Sequence, residues 1–112
     1  MAYDRALADR VDDLVGGGAE IIRQPMFGGL AWLVHGNMAV IVRGKGGLLV
    51  RVAPERHDAL LTEAGPVADT MFMRGRPMRG WITVAPEACA DPGELAAWVR
   101  EALSHARTLP PK

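Results

Sequence analysis

The sequence predicts a single α+β domain, an antiparallel β-sheet of five to six strands flanked by three α-helices. Apolar residues near both ends of the chain follow the helical repeat, two long apolar runs flank a short link, and Pro and Gly residues separate a further pair of strand-like segments. The 112 residues suffice for one core, and 49% hydrophobic residues supply its apolar area. The predicted order is α-β-β-β-β-α-β-β-α, with residues 4–108 as the ordered core of one domain over residues 1–112.

A first helix is predicted between Asp4 and Val15, where apolar side chains recur along one face. The triplet Gly16-Gly17-Gly18 ends it, because glycine accepts the left-handed backbone at a helix C-terminus. Residues 19–23 are typical of a short strand. Pro25 removes a hydrogen-bond donor, so we expect this strand at an edge of the sheet.

The next three strands are predicted as an antiparallel meander. Residues 30–34 and 38–42 are apolar throughout, and the link His35-Gly36-Asn37 tolerates a positive φ. A third run, 48–52, follows the link 43–47. Because such short links can join only antiparallel strands, the three runs form a meander. The link 43–47 contains Gly and Lys but lacks the other residues of a phosphate-binding P-loop, so we interpret it as a hairpin turn.

A short helix over 56–63 and a further strand pair follow in the second half. Pro54 fits the first turn of that helix, where its missing donor is not needed. The strand pair covers 67–74 and 78–84, with a loop around Pro77.

The last helix is predicted to begin at Asp91, because a capping side chain, Pro92 and Glu94 occupy the positions typical of a helix N-terminus. Pro110-Pro111 cannot extend the helix, which should end near Thr108 and leave a tail too short to pack.

Charged residues are grouped in blocks, although the formal net charge is zero. The predicted helix segments are neutral or acidic, whereas the sheet segments 23–52 and 71–86 carry basic and no acidic side chains. In the second block, Arg74, Arg76 and Arg79 lie close to Phe72 and Trp81. The arginines and Trp81 form a candidate site for phosphate or for an acidic partner. Alternatively, the arginines pair with acidic helices of the same molecule or keep edge strands soluble.

No catalytic residue, cofactor or metal site is predicted. Cys89 would need a base such as His57 or His105 to act as a nucleophile, and nothing in the sequence pairs them, so we interpret it as a structural or incidental thiol. These histidines and His35 lack the spacing of metal ligands. The methionines are expected to fill core gaps rather than bind a soft metal; they are Met26, Met38, Met71, Met73 and Met78.

The single cysteine excludes an intramolecular disulfide and favours a reducing compartment. The N-terminal segment lacks the basic and apolar regions of a signal peptide, and no apolar run of about 18 residues occurs. We therefore expect a cytoplasmic protein with no membrane association.

Two stretches of the first half stand out as motifs: Met26–Trp32, which reads MFGGLAW, and Gly36–Ala39, which reads GNMA. Together they resemble the signature of the TfoX N-terminal domain family. The resemblance continues through residues 48–51, 78–86 and the last helix, and it covers nearly the whole chain. It departs at residues 78–81, where many relatives carry a Tyr-rich strand.

The resemblance implies the same α+β fold and an association with bacterial regulators of natural competence, in which this domain is joined to a second, C-terminal domain. It transfers no catalytic or ligand-binding residue, because stand-alone TfoX-like proteins have no assigned function. The leading hypothesis is a non-enzymatic regulatory or protein-interaction module. The alternatives are a small ligand-binding protein or enzyme that uses the sheet surface, and a weak nucleic-acid binder that uses the basic strands.

We also expect a homodimer, because residues 30–34 and 38–42 are apolar at every position and both faces of their sheet must be covered. Three helices cover one face and part of the other, and a twofold partner is the simplest cover for the rest. The alternative is that the last helix crosses to the second face.

Sedimentation equilibrium at micromolar concentration tests this self-association. A homodimer is expected to give about twice the 12.0 kDa mass of one chain and to dissociate on dilution. A mass that stays at 12.0 kDa at every concentration would contradict the dimer.

Overall fold

A computed structural model describes residues 3–112 and contains one six-stranded antiparallel sheet, in the order β1-β2-β3-β4-β6-β5. It confirms the predicted α+β class and the order of the predicted elements, and it adds one short helix, α3. Two 3-10 turns, Pro54–Arg56 and Gly65–Val67, flank α2. The elements are α1 (Arg5–Val15), β1 (Ile21–Met26), β2 (Gly29–Val34), β3 (Asn37–Val42), β4 (Leu48–Arg51), α2 (His57–Ala64), β5 (Ala68–Met73), β6 (Arg76–Val84), α3 (Pro86–Cys89) and α4 (Pro92–Ala106).

Both long helices begin after a capping Asp side chain, of which the one at Asp91 was predicted and the one at Asp4 was not. Asp4 Oδ1 accepts a hydrogen bond from the Leu7 amide at 3.1 Å, and Asp91 Oδ2 accepts one from the Glu94 amide at 3.3 Å. Gly16 ends α1 with a φ of +75°, as expected for a C-terminal glycine. α4 ends at Ala106, two residues before the predicted end.

The C-terminal tail packs against the β2–β3 turn, so the prediction of an unpacked tail was wrong. The buried side chain of Asn37 donates a hydrogen bond to the Pro110 carbonyl at 2.9 Å, and the Lys112 amide donates one to the His35 carbonyl at 2.8 Å. The turn itself contains two residues, His35 and Gly36, both with positive φ, because Asn37 already belongs to β3. Two hydrogen bonds, one accepted and one donated by the tail backbone, therefore hold the tail against the turn.

The strand predicted at an edge of the sheet lies there. β1 lies at one edge, where Pro25 takes a place opposite Leu30, and β5 lies at the other. Pro77 lies inside β6 rather than in a loop, because the turn is confined to Arg74 and Gly75. Of the residues of β6, only the last four pair with β4. The outer part of β6, which contains Pro77, therefore has no strand of the described chain on that side.

One face of the sheet is covered by the helices. α1, α2 and α4 bury their apolar side chains in a single cluster with alternate residues of the central strands, among them Trp32, Val40 and Val50. α4 packs against α1 and against β2, β3 and β4 on this same side, so the alternative in which the last helix crosses the sheet does not occur. Within residues 3–112, no helix is both long and apolar enough to span a membrane.

The opposite face, which we call the open face, has a smaller apolar cluster built only from strands. Ala31, Leu33, Ile41 and Leu49 are at most 8% exposed, although no helix residue belongs to their cluster. Longer side chains of neighbouring strands bury them instead: Met26, Met38, Met71 and Trp81. The helices thus cover one face only, and the expectation that they extend onto part of the second was wrong.

Asp12 ties the first helix to the sheet. Its Oδ1 accepts a hydrogen bond from the indole Nε1 of the fully buried Trp32 at 3.0 Å, and its Oδ2 lies 3.4 Å from Arg23 Nη1. The Trp32 indole needs a partner for its N–H when buried, and the exposed side of α1 supplies it. This contact fixes α1 across β1 and β2.

His57 joins α2 to the outer strands. Its ring is 3% exposed, and its Nδ1 accepts a hydrogen bond from the Gly80 amide at 2.9 Å. Nδ1 is therefore unprotonated, so Nε2 carries the proton and donates it to Thr70 Oγ1 at 2.9 Å. Both ring nitrogens are used at the point where β5 and β6 change register, next to the positive φ of Gly80.

Replacing His57 tests whether this contact holds the bend of the β5–β6 hairpin. His57→Ala leaves the buried Gly80 amide without its acceptor and opens a cavity, so we expect the free energy of unfolding in urea to fall by about 2 to 4 kcal/mol. His35→Asn is the matched control, because His35 is exposed and Asn tolerates its φ of +50°. A loss no larger than that of the control would contradict the assigned role.

Candidate functional site

The open face contains a cavity of about 590 Å³ with mostly apolar walls. This volume lies in the range of sites that hold small molecules or inserted side chains. Strand residues form its floor, and the β1–β2 and β3–β4 turns and the β5–β6 hairpin form its rim. The apolar lining residues are Phe27, Met38, Ile41, Leu49, Met71, Met73, Met78 and Trp81.

A bend in the β5–β6 hairpin places three methionines at this cavity. The register shifts between Thr70 and Met71, and a bulge of this kind increases the local twist of a strand pair. Beyond it, Met71 pairs with Met78 and Met73 pairs with Arg76. The outer part of the hairpin therefore forms a wall of the cavity instead of continuing the flat sheet.

The motif around Phe27 shapes the opposite rim. Phe27 and Gly28 form the β1–β2 turn with φ values of +52° and +76°, and the Phe27 side chain is 79% exposed. A Cβ on Gly29 would overlap the Val42 carbonyl oxygen, so that position accepts only glycine. A bulky residue at positive φ costs free energy, and burial does not compensate that cost here, so Phe27 is a candidate contact residue.

The charged side chains around the cavity are basic. Arg43 and Lys45 line it, and the Arg51 guanidinium lies 5.3 Å from the centre of the Trp81 ring, within cation–π range. No acidic side chain lines the cavity within residues 3–112, and in the same range none of these three cations forms a salt bridge. The open face thus combines an apolar floor with basic side chains that form no salt bridge within the described residues.

The structure distributes the four predicted site residues over different places. Trp81 lies in the cavity wall, and Arg74 and Arg76 are exposed at the tip of the β5–β6 hairpin. Arg79 points instead toward α2, with its Nη1 3.3 Å from Asp58 Oδ2. The intramolecular pairing weighed from the sequence therefore applies to Arg79, and the phosphate or acidic-partner site stays a prediction for the others.

In the sequence, Arg43, Lys45 and Arg51 belong to the basic block 23–52 and to no predicted site. The place of Arg43 could have been predicted, because side chains alternate along a strand and Arg43 follows Ile41 by two residues, so both lie on the same face. Lys45 belongs to a turn, and its place beside the cavity depends on how β3 and β4 pair. No periodicity predicts that position.

The thiol and imidazole groups do not form a catalytic arrangement. Cys89 is 3% exposed, and burial raises the pKa of its thiol to about 11, away from the range of a nucleophile. Burial, and then the charge of Arg51, lower the pKa of His105, while His57 uses both ring nitrogens structurally. Among residues 3–112, no three His, Cys, Asp or Glu side chains cluster as metal ligands would.

Comparison with known proteins gives one family. The profile of the TfoX N-terminal domain matches residues 13–106, from α1 to the end of α4. No curated protein and no solved structure matches the chain. The matched range includes every residue that lines the cavity of the open face.

The raised pKa of Cys89 predicts a pH dependence of stability. The folded thiol stays protonated up to about pH 11, whereas the unfolded thiol ionises near its ordinary pKa of 9.0. Stability from this group is therefore complete below pH 9.0 and is lost as the pH rises toward 11. We expect the free energy of unfolding of the wild-type chain to fall more steeply over this range than that of Cys89→Ala. Equal slopes for the two chains would contradict the buried, neutral thiol.

Proposed function

Since the chain belongs to the family of TfoX N-terminal domains, we propose that it is a regulatory module that binds a protein partner and catalyses no reaction. The observation that carries the proposal is the open face, which no helix of the described chain covers and where the apolar side chains of Phe27 and Met73 are exposed at the cavity rim. Exposed apolar patches of this kind mark interaction sites in soluble proteins. The association of the family with bacterial competence regulation supports a regulatory role in the cytoplasm.

The reactive groups of the chain serve the fold, and this supports a non-enzymatic role. The Cys89 thiol is buried and neutral, and both ring nitrogens of His57 serve the fold. The cavity holds thioethers, an indole and aliphatic side chains, with cations at the rim. These groups are suited to binding, because none of the apolar ones transfers protons or attacks a substrate.

A second copy of the chain is one partner that the open face would accept. A twofold contact through this face brings the same basic side chains of both copies together, so charge repulsion weakens it. We therefore expect any homodimer to strengthen when salt screens these charges. The homodimer stays a prediction.

Affinity capture from the source cells tests the proposed function. We expect Met71→Ser/Trp81→Ser to lose the protein that the wild-type chain retains, because it removes two apolar walls of the cavity. Leu14→Ser/Phe72→Ser is the matched control, since both side chains are exposed and apolar, at 42% and 58%, but lie outside the cavity. Equal capture by these two folded variants would contradict the open face as the contact surface.

The variant Arg74→Ala/Arg76→Ala/Arg79→Ala belongs in the same experiment, because it separates the nucleic-acid alternative from protein binding. We expect it to capture the same protein as the wild-type chain. If the wild-type chain retains DNA or RNA with a steep salt dependence and this variant does not, the nucleic-acid alternative is favoured.

A further inference from the structure

The electrostatic character of the open face restricts its partner. Arg43 and Lys45 line the cavity, Arg51 lies against the ring of its wall residue Trp81, and none of the three forms a salt bridge among residues 3–112. Among the described residues, Asp69 lies at the edge opposite Thr83 and lines a second pocket together with Arg43 and Lys45, but it forms no salt bridge with either. A partner that brings carboxylates to the rim gains from charge complementarity, whereas a basic partner is repelled.

The apolar surface extends beyond the cavity and so favours a protein segment over a small molecule. Ile22 is 52% exposed on β1, in register with Leu33 of the open-face cluster. Phe27 and Met73 are 79% and 46% exposed at the cavity rim. A small molecule in the 590 Å³ cavity would contact Phe27 and Met73 but would leave Ile22 uncovered, whereas a helix laid across the sheet would contact all three side chains.

Methionine makes this surface adaptable. Met38, Met71, Met73 and Met78 line the same cavity. Unbranched thioether side chains change rotamer at low cost and pack against apolar groups of different shapes. Surfaces of this composition accept a class of sequences rather than one exact sequence.

We propose that the open face binds an amphipathic helical segment of another protein, in which acidic side chains flank a row of apolar ones. The apolar row packs against the methionines and Trp81, and the acidic flanks pair with Arg43, Lys45 and Arg51. This inference rests on the proposed function, because it names the class of partner for the same surface.

A labelled peptide of about 18 residues, or about five helical turns, serves as the probe. Its apolar face contains Leu and Phe, and Glu occupies the flanking positions. A second peptide has Lys at every Glu position, and a third keeps Glu but replaces the apolar row with Ser. Fluorescence anisotropy with the full chain measures the dissociation constants. We expect the Glu peptide to bind at least about tenfold more tightly than either control peptide.

Charge variants of the protein locate the contact. Arg43→Gln/Lys45→Gln is expected to weaken binding of the Glu peptide about tenfold, and raising salt from about 50 to about 500 mM should also weaken it. Arg5→Gln/Arg100→Gln removes the same charge from exposed sites on α1 and α4, and we expect it to leave binding unchanged. Urea unfolding confirms that both variants are folded.

The outcomes separate this inference from the proposed function. If the Glu and Lys peptides bind equally tightly and Met71→Ser/Trp81→Ser binds neither, the preference for an acidic partner is overturned. The open face would then remain an interaction surface. Peptide binding that none of the open-face substitutions changes would overturn both proposals. A homodimer that the Glu peptide does not dissociate, and that excludes it, would assign the face to a second copy and overturn the inference.

Discussion

The central strands of this domain are apolar on both sides, and the rest of the structure depends on this constraint. β2 and β3 alternate between the two faces of the sheet, so every residue in them needs cover on one side or the other. α1, α2 and α4 cover Trp32, Val40 and Val50 on one side. The other side has only the long side chains of neighbouring strands as cover, and for this reason it is both the least protected apolar surface and the candidate site.

The fold and the candidate site share the β5–β6 hairpin. His57 accepts a hydrogen bond from the Gly80 amide and donates one to Thr70, which holds the hairpin where its register shifts. Alternation along β5 places Met71 and Met73 at the cavity, and the register shift brings Met78 opposite Met71. A buried imidazole on the helix side thus supports the wall of a cavity on the opposite side of the sheet.

Membership of the TfoX N-terminal domain family and the geometry of the open face contribute different information. The family match concerns the fold, whereas the cavity and its charges concern what the surface can bind. The MFGGLAW motif connects the two, because Phe27 and Gly28 form a turn with positive φ and Gly29 allows close contact with Val42. The positive φ of Gly28 and the close contact at Gly29 explain these two glycines, and the exposed Phe27 side chain lies at the cavity rim.

Local patterns in the sequence determined the elements of this domain, and tertiary structure decided how its faces are used. The helical repeat, the cap at Asp91, glycine turns and Pro25 act over a few residues, so they predicted the helices, the meander and the edge strand. They did not predict that the tail docks on Asn37, because that contact joins residues far apart in the chain. Strand pairing and a bulge likewise separate Arg79 from Trp81 and bring Lys45 and Met73 to one cavity. Long-range packing selects both features, so local sequence patterns do not predict them.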